Sequence, residues 1–135
     1  MNYTSSGMKA WDHVVELQDQ RHPGWRTDKP RSIFTTGLAS EIGGVCDQVT
    51  HLDGGGSRVL DPNKWSEARL LHDLVDSWVM IVLVAERSGF TEMDFWAEWM
   101  KIKEELIQRI RENNEVSITS KELRNSPEET KNGSM

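Results

Sequence analysis

The stretch Leu70-Leu71-His72-Asp73-Leu74-Val75-Asp76-Ser77-Trp78-Val79-Met80-Ile81-Val82-Leu83-Val84-Ala85-Glu86 decides the fold. Asp73 and Asp76 precede an unbroken apolar run from Trp78 to Ala85. On a helix, residues three apart share a face, with roughly 5–6 Å between Cβ atoms. Two carboxylates that close repel each other unless a cation or a proton lies between them. Beyond them the segment is apolar on every side, the pattern of a buried central helix. Its Val and Ile content also suits a strand, but no turn signal precedes Ser88-Gly89, and that length favours a helix. Paired acids at one end of such a helix point to a metal inside a helical bundle. The plainer alternative is two acids at the wetter end of an ordinary core helix.

Working outward, Asp61-Pro62 reads as a helix start, with an N-cap acid and a proline at the first helical position. The central helix is therefore expected from about Asn63 to Arg87, with Gly89 as its C-terminal stop. Before it, Ser32 is placed to cap a helix from about Ile33 to Leu52. Phe34, Leu38, Ile42, Val45, Val49 and Leu52 form its expected core face, and Glu41 sits in its middle. Gly37, Gly43 and Gly44 interrupt it, each costing on the order of 1 kcal/mol against Ala, which suggests close approach of a helix or ligand. Asp53-Gly54-Gly55-Gly56-Ser57 lacks the ending of a phosphate-cradling loop and reads as a linker.

A first amphipathic helix is expected from Met8 to about Gln20, on the spacing of Met8, Trp11, Val14 and Val15. His22-Pro23-Gly24-Trp25 stops it, and a basic loop with Arg26, Lys29 and Arg31 follows. After Gly89, Thr91 is the expected cap of a fourth helix. Its stripe of Phe95, Trp96, Trp99, Ile102, Leu106 and Ile110 runs to about Glu112. The expected organisation is one all-α domain over residues 1–114, a four-helix bundle, followed by a disordered polar tail over 115–135.

The bulk numbers agree with that organisation. A chain of 135 residues is long enough for one real core. The balance of 16 basic against 22 acidic residues, net −6, argues against a nucleic-acid polymer as partner. Free nucleotides remain compatible, because a bound divalent cation recruits phosphate to an acidic site. The single cysteine, Cys46, excludes an internal disulfide framework and fits a reducing compartment; beside no clear base, it reads as a small core residue. Neither a signal core near the N-terminus nor a span long enough for a bilayer is visible, so a soluble cytoplasmic protein is expected. The six tryptophans read chiefly as core and interface anchors.

Glu41, Asp73 and Asp76 are the acids nearest the expected core faces, and antiparallel neighbours joined by a short connection can bring them together. Hard oxygen ligands of this kind suit Mg2+ or Mn2+, with waters and substrate phosphates completing the shell. No second histidine stands at ligand spacing from His51 or His72, which makes zinc a poor fit.

Leu38-Ala39-Ser40-Glu41-Ile42-Gly43-Gly44-Val45, followed by Asp73-Leu74-Val75-Asp76, resembles the MazG-like all-α nucleoside triphosphate pyrophosphohydrolases. The resemblance spans roughly Trp11 to Lys103. Family members carry Glu-x-x-Glu on one helix and Glu-x-x-Asp on the next, together binding magnesium. It implies a Mg2+-dependent enzyme splitting a nucleoside triphosphate into monophosphate and pyrophosphate, assembled as a homodimer or homotetramer. Glu41, Asp73 and Asp76 would be both metal ligands and catalytic groups. Trp25 looks like the residue that stacks on the base in some relatives. Lys29, Arg31 and Lys103 would be substrate contacts, Lys103 falling about where relatives carry an Asn. The departures are specific: Gly44 stands where the second Glu belongs, and Asp73 replaces a Glu. Asp47 and Gln48 are poor substitutes for the lost ligand. The resemblance therefore also implies a rival, a degenerate member retained as a nucleotide-binding or assembly module.

Overall fold

The computed structural model describes residues 9–54, 61 and 63–125, and every regular element among them is helical. In chain order these are α1 (Ala10–Arg21), α2 (Trp25–Asp28), α3 (Arg31–Asp53), α4 (Glu67–Arg87) and α5 (Glu92–Asn125). The all-α class is thus confirmed. Contacts divide the chain into one unit over Met1–Glu92 and a second over Met93–Met135.

Ser66 sets the start of α4. Its hydroxyl accepts a hydrogen bond from the Arg69 backbone N–H at 3.1 Å, satisfying one of the first-turn donors. The expected start at Asp61 is half right. The Asp61 side chain accepts from the Asn63 N–H, and its carbonyl accepts from Lys64 and Trp65, but this makes one separate turn before the helix. At the other end Gly89 has φ +85°. Phe90 N–H donates to the Ala85 carbonyl and Gly89 N–H to that of Glu86, the paired bonds of a Schellman stop. The left-handed residue this requires is the glycine that the spacing predicts.

Two local expectations are corrected. Ser32 does not cap α3; Pro30 holds the N-cap position, and the Ser32 carbonyl instead accepts from the hydroxyls of Thr35 and Thr36. The stretch after His22 is not all loop either. Gly24, at φ +83°, turns the chain so that Trp25–Asp28 forms a short helix.

The first unit's core is small. Trp25, Phe34 and Leu83 form its centre, with Val14, Val79, Met80 and Val84 packed around them, and Trp11 and Val82 are also buried. Trp25 and Phe34 meet edge to face at 5.4 Å. The indole N–H of Trp25 donates to Asp19 and that of Trp11 to Glu86, both at 2.7 Å. Arg26 bridges those two carboxylates at 3.2 and 3.4 Å.

The expected core face of α3 is rotated. Phe34 is buried, but Ile42 is 46 % and Val49 39 % exposed, while Gln48 is buried. Cys46 is likewise exposed rather than core. The side of α3 turned to α4 is instead the stripe Gly37, Gly44 and Gln48. In the second unit α5 is continuous to Asn125, so residues 115–125 are helical rather than tail. No glycine or proline interrupts Asn113–Asn125 to stop it. Residues 126–135 of the expected tail lie outside the described residues, as do Met8 and Pro62.

Candidate functional site

Two close approaches set the register of α3 against α4. A β-carbon built on Gly37 would stand 3.0 Å from Met80 Cε, and one built on Gly44 would stand 3.3 Å from Asp73 Oδ2. Seven residues forward on α3, from 37 to 44, correspond to seven back on α4, from 80 to 73. The helices therefore run antiparallel, and Glu41 stands at the level of Asp76. Gln48 closes the pair at its far end: its amide donates to the Lys64 carbonyl at 2.7 Å and accepts from the Ser66 N–H at 3.2 Å.

The site residues expected from the sequence are distributed as follows. Glu41, Asp73 and Asp76 are half-buried, at adjacent levels of the α3–α4 pair. Their carboxylates are not drawn into one cage, and among the described residues no three of His, Cys, Asp and Glu are gathered to hold a metal ion. The reason is local. Asp73 directs Oδ2 to the Gly44 notch, and its backbone carbonyl accepts from the buried Ser77 hydroxyl. Asp76 turns back one turn, with Oδ2 3.1 Å from His72 Nε2.

Trp25 is 1 % exposed, with Arg26 over its ring at 4.9 Å. It is a core residue, and a stacking role toward a base would require that core to open. Lys29 is half-buried, and its carbonyl accepts from Arg87 Nε at 2.6 Å. Arg31 is the exposed first residue of α3. Lys103 is exposed on α5, in the second unit.

A cleft of about 420 Å³ opens between α1, α3 and α4. Val14, Leu17, Ile33, Phe34, Met80 and Leu83 supply apolar wall, Gln18 contributes an amide, and Arg21, His22 and Lys29 add polar and basic groups. Met80, which also fills the space beside Gly37, lies one turn along α4 from Asp76, about 6 Å of helix rise.

Sequence reasoning missed three participants. The His72–Asp76 contact was available from the i, i+4 spacing alone. Gln48 falls on the line of Gly37, Glu41 and Gly44, but a glutamine there carries no signal distinguishing a strut from a surface residue. Gln18 lies beside Leu17 and one turn past Val14 and Val15, but a glutamine carries no apolar signal of its own, and only the packing shows it buried.

Comparison with family models, with curated proteins and with solved structures finds no match to this chain.

Proposed function

We propose that the chain is a Mg2+-dependent nucleoside triphosphate pyrophosphohydrolase, with Mn2+ as an acceptable substitute. One observation carries the reading: the Asp73 carboxylate is seated on the α3 backbone at Gly44, with Glu41 level with Asp76 one turn away. Magnesium keeps several waters and takes one or two carboxylates plus substrate phosphates, rather than an all-protein cage. Asp73 and Asp76, with Glu41 beside them, fit that requirement although they form no closed triad. When bound, the ion would neutralise phosphate charge and orient the triphosphate. Asp73 and Asp76 would hold it, and Glu41 would take a proton from the attacking water. A bond forms from that water to the α-phosphorus, and the bond from the α-phosphorus to the bridging oxygen breaks, releasing monophosphate and pyrophosphate. Lys29 and Arg31 would meet phosphate oxygens, with Lys103 a further contact suggested by the resemblance alone. A reducing, cytoplasmic setting and a homodimer or homotetramer belong to the same reading.

The second reading is a degenerate nucleotide-binding or assembly module. Its support is the absence of a three-ligand cluster among the described residues, together with Gly44 in place of a carboxylate. A panel of nucleoside triphosphates with and without Mg2+, scored for pyrophosphate release, separates the two. Metal-dependent release that Asp76→Asn abolishes supports the enzyme. Absence of release with every triphosphate leaves the binding module.

A further inference from the structure

We propose that the α1–α3–α4 cleft receives a nucleobase, that the Gln18 carboxamide reads its polar edge, and that Arg21 and Lys29 meet its anionic arm. This deepens the nucleotide reading above and rests on it for the identity of the ligand. Gln18 is 8 % exposed, and its backbone carbonyl accepts from the His22 N–H. Its side-chain amide makes no hydrogen bond among the described residues, yet it lines the cleft. No buried side-chain nitrogen or oxygen lacks a partner among the described residues, so the amide's polar atoms are reached by solvent from the cleft and are open to a ligand that replaces that water.

A carboxamide presents a donor and an acceptor side by side, which matches the edge of a base, as in glutamine recognition of adenine. The cleft's other walls are apolar and suit a flat ring, and about 420 Å³ is within the usual range of small-molecule sites. Charge completes the pattern. In a chain of net charge −6, neither Arg21 nor Lys29 is ion-paired among the described residues, and both line this cleft. A simple aliphatic anion would satisfy those cations but offer the amide no donor–acceptor edge, so a heterocycle bearing phosphate fits better.

The test is calorimetric titration of the full chain with AMP, CMP, GMP, UMP and octanoate, all in EDTA so that no metal contributes. At least one monophosphate is expected to bind. Gln18→Met, which keeps the volume and removes the amide, is expected to weaken that binding about tenfold, 1.4 kcal/mol, while leaving the melting temperature of the free protein unchanged. A structural glutamine would lower the melting temperature instead, and that result overturns the assignment. Arg21→Gln with Lys29→Gln should weaken the monophosphate but leave the affinity for the matching nucleoside unchanged. If no monophosphate binds, or if octanoate binds as tightly and ignores Gln18→Met, the cleft is not a base site. Binding in EDTA without turnover in Mg2+ would remove the enzyme reading and keep the cleft. Turnover that is indifferent to Gln18→Met would remove the cleft and keep the enzyme.

Discussion

The carboxylate of Asp73 occupies the notch that Gly44 leaves in α3, close enough that an added β-carbon would stand 3.3 Å from Oδ2. A glycine in a helix interior costs roughly 0.5–1 kcal/mol against alanine. Here the cost coincides with the point where an acid of the next helix meets the backbone. The contact makes Gly44 the most informative position in the α3–α4 pair.

Gly44→Glu restores the Glu-x-x-Glu spacing with Glu41, but it also sets a new carboxylate against Asp73. Without metal, like charges this close repel, and the variant is expected to melt below the parent in EDTA. With Mg2+ the added ligand should more than recover that loss by mass action on the folded state, and pyrophosphate release should rise. Melting curves and pyrophosphate assays in both conditions check it. Equal destabilisation with and without Mg2+ would mean that Gly44 serves close packing alone.

Gly43 is the contrasting neighbour. A β-carbon built there meets nothing within 4 Å. Gly43→Ala is therefore expected to stabilise the protein by about 0.5–1 kcal/mol through backbone entropy and helix propensity. Chemical denaturation gives the answer directly. A loss of stability would show that this face of α3 is covered in solution.

Gln48→Leu should be clearly harmful. Substitution removes both hydrogen bonds to the segment before α4, leaving the Lys64 carbonyl and Ser66 N–H to find other partners. A loss of about 1–3 kcal/mol is expected for partly buried groups left unpaired. Because Ser66 caps α4, amide exchange at the start of that helix should speed up as well. Unchanged exchange there would show that the cap stands without the strut.

The uncovered apolar residues predict assembly. Ile42 and Val49 on α3 and Leu71, Leu74 and Val75 on α4 are between 39 % and 63 % exposed, and Trp96 and Trp99 on α5 are each 45 % exposed. Surface of this kind is expected to be covered by a second copy. Light scattering at micromolar concentration should give at least the dimer mass, and Leu74→Glu should shift it toward the monomer. A monomeric mass for the parent protein would refute this.

How much of this was legible beforehand depends on the kind of signal. The helical class, the long α4 and its stop at Gly89 follow from local rules, which act within a turn or two of chain. The core face of α3 differs from its apolar stripe because apolar periodicity marks surface that will be covered without saying by what. Here α4 takes the small and polar stripe through Gly37, Gly44 and Gln48, leaving Ile42 and Val49 outside. Spacing picks out the acids of the candidate site, and the structure sets them at adjacent levels of the α3–α4 pair. The rotamers that turn Asp76 to His72 and Asp73 to Gly44 are set by packing, which the spacing of the acids alone does not encode. Pro23-Gly24 reads as a break and puts Trp25 on a loop; the same glycine bends the chain inward and delivers the indole to the core.

The two hydrogen bonds of Gln48 also bear on how this chain tolerates change. They tie the last turns of α3 to the residues that open α4, so a change in the length of chain between Gly54 and Asp61 is expected to leave the pairing of the helices in place. Lengthening a loop whose ends are already held together costs little, since closure entropy grows only with the logarithm of length. Insertions at that point are therefore a permissive route by which a lineage, or an engineer, can graft new sequence beside the acids without disturbing their register.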